Sequence, residues 1–344
     1  MSTKRSAGES FASYRNAVRV ELGTIIETCP PSIRDLLRYH MGWQDKQGHL
    51  YSGETGKSVR STLCLLSCQA VGGDTAQVVP AAAAVELVHN FSLIHDDIED
   101  AGSERHRRPT VWKVWGQSQA INAGDAMFTL AYLALLRLRE KGIAGEKIGR
   151  AIEMLSRACL ELCEGQYLDV DYENRLDVTV EDYLDMAARK TAALFAASTS
   201  LGAYLGGGDD KLVEAFRLFG RELGTAYQIY DDVLGIWGTE ERLGKSTGDI
   251  AQRKKTLPVV YGLRNSAVEA RNRLEKLYAQ KSMKEADVGE VTDILQRSGA
   301  GDYSKDLAGQ YYRKALARLE ASGLGASRQA PLREMARSLV DRDF

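Results

Sequence analysis

Proline is scarce in this chain, with six in 344 residues. Most of the six stand between segments of helical spacing or at their starts, where they punctuate helices without interrupting them. Strand signals are also scarce, because alternating polar and apolar runs bounded by turn residues are hard to find. There is no surplus of charge of either sign. The formal net charge of −2 leaves no basic excess, which argues against a protein held to nucleic acid mainly by phosphate contacts. Uninterrupted apolar runs of membrane-spanning length are missing. The most apolar stretch, 78–94, carries Pro80, Glu86, His89 and Asn90, so it reads as a buried helix and not a bilayer span. The first ten residues are polar and lack the apolar core of a secretory leader, so none is expected.

What is present is helical spacing, in segment after segment. Leu63/Leu66/Ala70, Ala84/Val88/Phe91, Met127/Leu130/Ala134, Ala151/Met154/Leu155/Ala158 and Val213/Phe216/Phe219/Leu223 each mark one apolar face at a 3.6-residue period. Glycine-bearing breaks at 42–56, 206–208 and 235–248 separate these segments, and no long polar linker does. The expectation is therefore an all-α fold, with residues 1–344 forming one helical domain. Five cysteines fall as Cys29, Cys64/Cys68 and Cys159/Cys163. The paired ones lack the short-loop geometry of structural zinc sites, so all are expected as small buried side chains in a reducing compartment, the cytoplasm.

The chemistry concentrates in two acidic clusters. The first is Asp96-Asp97-Ile98-Glu99-Asp100 and the second is Asp231-Asp232. In a helix Asp96 and Asp100 lie one turn apart on the same face with Asp97 beside them, so several carboxylate oxygens converge. A run of acids is commonly a solvated face. Here each cluster closes an apolar helix, 85–94 before the first and 226–230 before the second, where uncompensated carboxylates are costly. Oxygen ligands of this kind suit magnesium, which shares a few protein carboxylates with substrate phosphates. Basic residues follow closely: Arg105, Arg107 and Arg108 after the first cluster, Lys245, Lys254 and Lys255 after the second, with Lys57 and Arg60 after a glycine-bearing turn. Arginine forks and lysine ammoniums are the usual partners of phosphate oxygens. The two clusters are expected to act together, with a diphosphate bridging cations between them.

At this point the sequence resembles the trans-isoprenyl diphosphate synthases, the polyprenyl synthetase family, over most of its length. Ser92 to Asp100 with Arg105 and Arg108-Pro109-Thr110-Val111-Trp112 looks like that family's first aspartate-rich motif, and Tyr227 to Gly235 looks like its second. Gly244-Lys245, Asp249, Lys254-Lys255-Thr256-Leu257-Pro258, Lys190-Thr191, and Gln166 with Asp169 also match. The resemblance implies an all-helical fold around a deep cavity, a homodimer, and the joining of an allylic prenyl diphosphate to isopentenyl diphosphate by a short-chain synthase. It implies magnesium, three ions in number, held by Asp96, Asp97, Asp100, Asp231 and Asp232. Arg105, Lys190, Lys245 and Lys254 would contact the allylic diphosphate, while Lys57, Arg60, His89 and His106 would hold isopentenyl diphosphate. Thr191 and Gln228 would lie near the developing carbocation. No side-chain nucleophile is needed for this chemistry, in keeping with the lack of an evident Ser-His-Asp or Cys-His arrangement.

Departures from the family pattern fall at Ser58 and Ser61, at His106 where a second arginine is usual, and at Gly235 where many members carry a third aspartate. Ser58, Ser61 and His106 keep a second reading open, a terpene synthase that cyclises a prenyl diphosphate without isopentenyl diphosphate. A third reading is a non-catalytic partner subunit of a synthase. Phe91 lies five residues before Asp96, about 7.5 Å further down a helix axis. In the family a bulky aromatic there floors the growing tail, so Phe91 and Ser92 are the expected chain-length residues, with a C20 product favoured and C15 next.

Overall fold

The computed structural model describes residues 7–50, 58–238, 248–280 and 282–340, with the backbone alone at 7–10. Lys57 and Lys245, two of the expected diphosphate-binding residues, lie outside the described residues. The structure is helical nearly throughout, as the spacing predicts, and its single sheet among the described residues is a two-stranded hairpin.

In chain order the elements are α1 (Ala7–Ile26), α2 (Pro31–His40), α3 (Val59–Val71), α4 (Thr75–Glu99), β1 (Glu104–Arg105), β2 (Arg108–Pro109), α5 (Val111–Trp115), α6 (Gln117–Leu136) and α7 (Gly145–Tyr172). There follow α8 (Val180–Ala187), a π-helical turn at Ala188–Ala192, α9 (Ala193–Leu205), α10 (Asp210–Trp237), α11 (Leu257–Asn265), α12 (Val268–Tyr278), α13 (Glu285–Arg297), α14 (Ala300–Ala321) and α15 (Ala326–Val340). They gather into two compact units, one formed by 1–159, 194–218 and 318–335, the other by 160–193, 219–317 and 336–344.

The first unit is organised on α4, which packs against α6, α3 and α1. Its N-terminus is capped by the Asp74 carboxylate, which accepts from the Ala76 amide at 2.9 Å, and a cap of this kind contributes about 1 kcal/mol. By length and composition α4 could cross a membrane, but 72% of its most apolar window is buried in protein, so it is the core helix that its polar interruptions imply. Alanines 81–84, Val85, Leu87 and Val88 are wholly buried. Two close approaches require glycine. Gly124 on α6 leaves no room for a Cβ beside the His95 ring of α4, and Gly202 on α9 leaves none beside the Cys64 carbonyl of α3.

The second unit has two apolar centres. Ile250, Val259, Leu274, Leu277, Val291 and Leu295 form one. Tyr172, Val178, Tyr183, Met186, Ile229 and Leu257 form the other, beneath the second acidic cluster. Here α8 opens with a reciprocal capping box between Thr179 and Asp182, which pins the start of the segment that leads to Lys190.

None of the five cysteines is in a disulfide, and Cys64, Cys68 and Cys159 are buried as expected. Cys163 is exposed and Cys29 only partly buried, which corrects the expectation for those two. Cys163 lies one turn past Cys159 on α7, but its position faces outward.

Candidate active site

The first acidic cluster closes α4. Asp96, Asp97 and Glu99 occupy its last turn and Asp100 is its C-cap, whose amide bonds back to the Asp96 carbonyl at 2.9 Å. This is the negative end of the helix dipole, where carboxylates are disfavoured and a cation is stabilised. Asp96 and Asp100 are partly exposed, whereas Asp97 is buried. The difference comes from the hairpin that follows. Arg105 on β1 turns back and grips the Asp97 carboxylate, with Nε 3.0 and 3.1 Å from its two oxygens and Nη2 2.8 Å from Oδ1. Burial pushes the Asp97 carboxyl up, against the pull of Arg105. Asp97 was expected as a metal ligand and Arg105 as a phosphate contact, and each is engaged first with the other.

The hairpin is a two-residue turn. Glu104 pairs with Pro109 and Arg105 with Arg108, leaving His106 and Arg107 as the turn residues, at φ 52° and 59°. Such turns need positive φ at both central positions and normally recruit Gly, Asn or Asp, so the backbone is strained at two side-chain-bearing residues. Tertiary contacts hold it in place. The Tyr39 hydroxyl donates to the Pro109 carbonyl at 2.7 Å, and Thr110 Oγ1 and Trp112 Nε1 both donate to the Gly102 carbonyl, at 2.8 and 2.7 Å.

Around this hairpin the same unit assembles a group of basic side chains. Arg60 on α3 donates from Nη1 to His89 Nε2 at 3.2 Å and lies 4.8 Å over the Phe195 ring. His40, at the end of α2, meets Asn90 of α4 at 3.1 Å. Ser58 and Ser61, two of the departures from the family pattern, stand at the start of α3 beside Arg60. Ser58 takes φ 43° as the N-cap of α3, and Ser61 is fully buried with its hydroxyl on the Ser58 carbonyl at 3.1 Å. Ser92 likewise spends its hydroxyl on the His89 carbonyl at 2.8 Å. Phe91 is buried and packs edge-on against His95 and Phe128, whose ring meets Tyr132 in the same way at 5.1 Å.

The second unit carries the other cluster. Asp231 is partly exposed and Asp232 buried. Asp232 accepts from Gln228 Nε2 at 2.8 Å and from the Leu257 amide at 3.0 Å. The Tyr183 hydroxyl lies close to Asp232 but outside hydrogen-bond geometry. Burial raises the Asp232 carboxyl to about 7, with the Asp249 charge adding to it. Gln228 in turn accepts from the Thr191 hydroxyl, so the π-turn, α10 and Asp232 form one hydrogen-bonded line. π-turns concentrate at functional sites, and this one presents Lys190 and Thr191. It lies so close to α7 that Gly165 has no space for a Cβ beside the Lys190 backbone.

Sequence reasoning matched Asp169 to the family motif but gave it no role, and the structure makes it a hub. It accepts from Lys190 Nζ at 2.6 Å and from Lys254 Nζ at 3.1 Å, while Lys254 also pairs with Glu173 at 2.7 Å. Although burial opposes it, the two ammoniums hold the Asp169 carboxyl down at about 2. Lys255 points elsewhere. It is buried, donates to the Glu173 carbonyl at 2.9 Å and sits 4.9 Å over Tyr278, and burial lowers its ammonium to about 8. The glycine at the third-aspartate position also has a reason: a Cβ on Gly235 would run into the Asp249 carboxylate.

Among the described residues no three His, Cys, Asp or Glu side chains gather into a ready-made metal site. The donors that are present are carboxylate oxygens at a helix C-terminus. This suits magnesium, which is commonly held by one or two carboxylates and completed by water and phosphate oxygens, without a protein cage.

The comparisons with known proteins agree on one lineage. Residues 43–295 match the family model described as polyprenyl synthetase. A geranylgeranyl diphosphate synthase from Mycobacterium tuberculosis is 41% identical over 307 residues, covering 88% of this chain and 86% of that protein. A polyprenyl synthetase from Streptomyces coelicolor A3(2) is similar in structure with a TM-score of 0.88 and 36% identity, over 96% of this chain and 98% of that one. A polyprenyl synthase from Caulobacter crescentus CB15, solved with calcium and isoprenyl diphosphate, reaches a TM-score of 0.85 at 28% identity and 100% coverage of both chains.

Proposed function

Because the chain belongs to the polyprenyl synthetase family, we propose that it is a short-chain trans-prenyl diphosphate synthase, a magnesium-dependent prenyltransferase joining isopentenyl diphosphate to an allylic diphosphate. One observation carries the reading. A cluster of carboxylates at the end of core helix α4 lies in the same unit as a group of basic side chains from Arg60, His89 and the Arg105–Arg108 hairpin. Such a pair of sites suits two diphosphates, one handled through metal and one through protein cations.

In this reading Asp96, Asp100 and Asp231 are the metal-binding carboxylates, while Asp97 and Asp232 support them, because protein donors already occupy their oxygens. Magnesium supplies neutralisation of the charge that gathers on the departing diphosphate. Lys190 and Lys254, with Lys245 beyond the described residues, add fixed positive charge for the same oxygens. Thr191 and Gln228 present oxygen dipoles toward the allylic cation left behind. Arg60, His89 and His106 hold isopentenyl diphosphate so that its double bond attacks that cation, and proton loss from the resulting tertiary cation completes the new trans double bond.

Phe91 closes the tail's path, which favours a C20 product, geranylgeranyl diphosphate, over C15 farnesyl diphosphate. The 41% identity to a geranylgeranyl diphosphate synthase supports that order. A homodimer belongs to the same proposal and is checked by analytical ultracentrifugation. The decisive assay is mass spectrometry of products from dimethylallyl, geranyl and farnesyl diphosphate with magnesium, with and without isopentenyl diphosphate. Elongated diphosphates formed only with isopentenyl diphosphate are expected. Hydrocarbon released in its absence would replace elongation by cyclisation.

A further inference from the structure

Three histidines from three elements surround one region of the first unit, and their hydrogen bonds fix which nitrogen of two of them can take a proton. The Asn90 amide nitrogen donates to the Glu86 carbonyl at 2.8 Å, so its oxygen is the atom that faces His40 Nε2 at 3.1 Å. That oxygen only accepts, so His40 carries its hydrogen on Nε2 and keeps Nδ1 as the basic nitrogen. His89 is wired the opposite way. Its Nε2 receives Arg60 Nη1 at 3.2 Å, and a guanidinium only donates, so His89 holds its hydrogen on Nδ1. Protonating His89 would set N–H against N–H and release Arg60. His89 is therefore held neutral and orients the arginine, while His40 remains free to ionise without losing its Asn90 bond.

The surroundings of His40 are cationic. Arg105, Arg108 and His106 face it from the hairpin, and Arg60, with His89, lies beyond Asn90. The acidic groups nearby are Asp97, which is bound by Arg105; Asp96 and Asp100, whose charges also act on Arg105; and Glu86, which lies buried beside Ser61 and Arg60 with its carboxyl raised by burial and its Oε2 without a hydrogen-bond partner among the described residues. Arg108 is set 5.0 Å over the Tyr39 ring with Nη2 3.4 Å from the His40 carbonyl, and its buried Nη1 has no partner among the described residues. A buried guanidinium nitrogen without an acceptor marks a place for an anion. Burial above all, and then Arg105, lowers the His40 imidazole to about 3, and the same two influences lower His106. A bound diphosphate reverses the electrostatic part of that, because its negative charge favours the imidazolium.

We propose that His40 is a further binding residue of the isopentenyl diphosphate pocket and takes up a proton when the diphosphate group binds, so that affinity for this substrate rises as pH falls. This rests on the synthase reading given above. The balance is simple: one proton passes from buffer to Nδ1 of His40, no covalent bond to carbon changes, and the imidazolium N–H then donates to a diphosphate oxygen.

The test is titration calorimetry of isopentenyl diphosphate, and separately of inorganic pyrophosphate, at pH 7.5 with EDTA in two buffers of different ionisation enthalpy. The wild-type protein is expected to take up more protons on binding than His40→Gln does, and that difference is expected to grow when the titrations are repeated at pH 6.5 and pH 6.0. The ligand's own ionisation is common to both proteins and cancels. In steady state, His40→Gln is expected to raise KM for isopentenyl diphosphate about tenfold near pH 5.5, where imidazolium is the favoured form of an unshifted histidine, leave kcat and the allylic KM unchanged, and flatten the pH dependence of that KM. Identical heats of binding in the two buffers after correction for the ligand, or a His40→Gln protein with wild-type uptake, would overturn the proposal. If no elongated product forms at any pH, the synthase reading itself fails; if product forms with a KM that ignores pH, only the role of His40 fails.

Discussion

Arg105 holds both oxygens of Asp97, with its Nη2 2.8 Å from Oδ1, while Asp96, one residue earlier on the same helix, is partly exposed. Adjacent carboxylates of one motif thus have different surroundings, and substitution separates their proposed roles. Asp97→Asn removes the charge opposite a guanidinium that is itself mostly enclosed, and should lower unfolding stability by about 2–3 kcal/mol in urea, since breaking an enclosed pair strands its partner. Asp96→Asn should leave stability near wild type and reduce kcat about 100-fold or more. Equal stabilities for the two variants would show that the Arg105 pairing contributes little.

Asp169 gives the acid-side pH dependence its clearest single source. Its folded carboxyl sits at about 2, below the ordinary value of 3.8, because Lys190 and Lys254 favour the charged form. A depressed carboxylate contributes stability that is present above the unfolded value and is lost as pH falls through the folded one. The stability gap between wild type and Asp169→Asn is therefore expected to be about 2 kcal/mol at pH 6 and to shrink between pH 4 and pH 2. A gap that stays constant over that range would assign the cost to hydrogen bonding, not to charge.

In the proposed role of Phe91 as a floor for the growing tail, its ring does not stand alone: Phe128 lies 5.1 Å from it between centroids and Tyr132 meets Phe128 at the same distance. Phe91→Ala should extend the main product by at least one five-carbon unit, read by mass spectrometry. Phe128→Ala should give a smaller extension by letting Phe91 tilt away. Unchanged product distributions in both variants would remove this aromatic ladder from chain-length control.

Arg107 carries a full side chain at φ 59°. Left-handed backbone costs a non-glycine residue about 1 kcal/mol or more, so Arg107→Gly should stabilise the fold by about 0.5–1 kcal/mol after the entropy of glycine is allowed for. Thermal denaturation measures it. A lowered midpoint would mean that the Arg107 side chain contributes more to the fold than its backbone costs.

Much of this was legible in the sequence, and the part that was not shares a cause. Apolar spacing located the helices, and the acids of both clusters were visible because each follows a run whose burial follows from its composition, although only the first cluster ends its helix: α10 runs on past Asp232 to Trp237. The functional difference between Asp96 and Asp97 was not visible, because it depends on a turn that brings Arg105 back onto only one of them. Asp169 meets Lys190 and Lys254 across 21 and 85 residues, and His40 meets Asn90 across 50. Periodicity carries no information about such pairings. Gly235 looked like a missing ligand, and only packing reveals that Asp249 already occupies the space a side chain there would need.

The two-residue turn at His106-Arg107 also makes chain length itself a constraint. Surface turns ordinarily absorb insertions and deletions. In this hairpin Arg105 and Arg108 stand directly opposite each other, so both point to one side of the ribbon, and side chains alternate sides at every step along a strand. Adding or removing a single residue between them would turn one of the two arginines to the opposite side, away from either Asp97 or Tyr39. The number of residues at the tip is therefore more tightly constrained than the identity of Arg107, so natural variation at this loop should appear as substitutions and almost never as gaps.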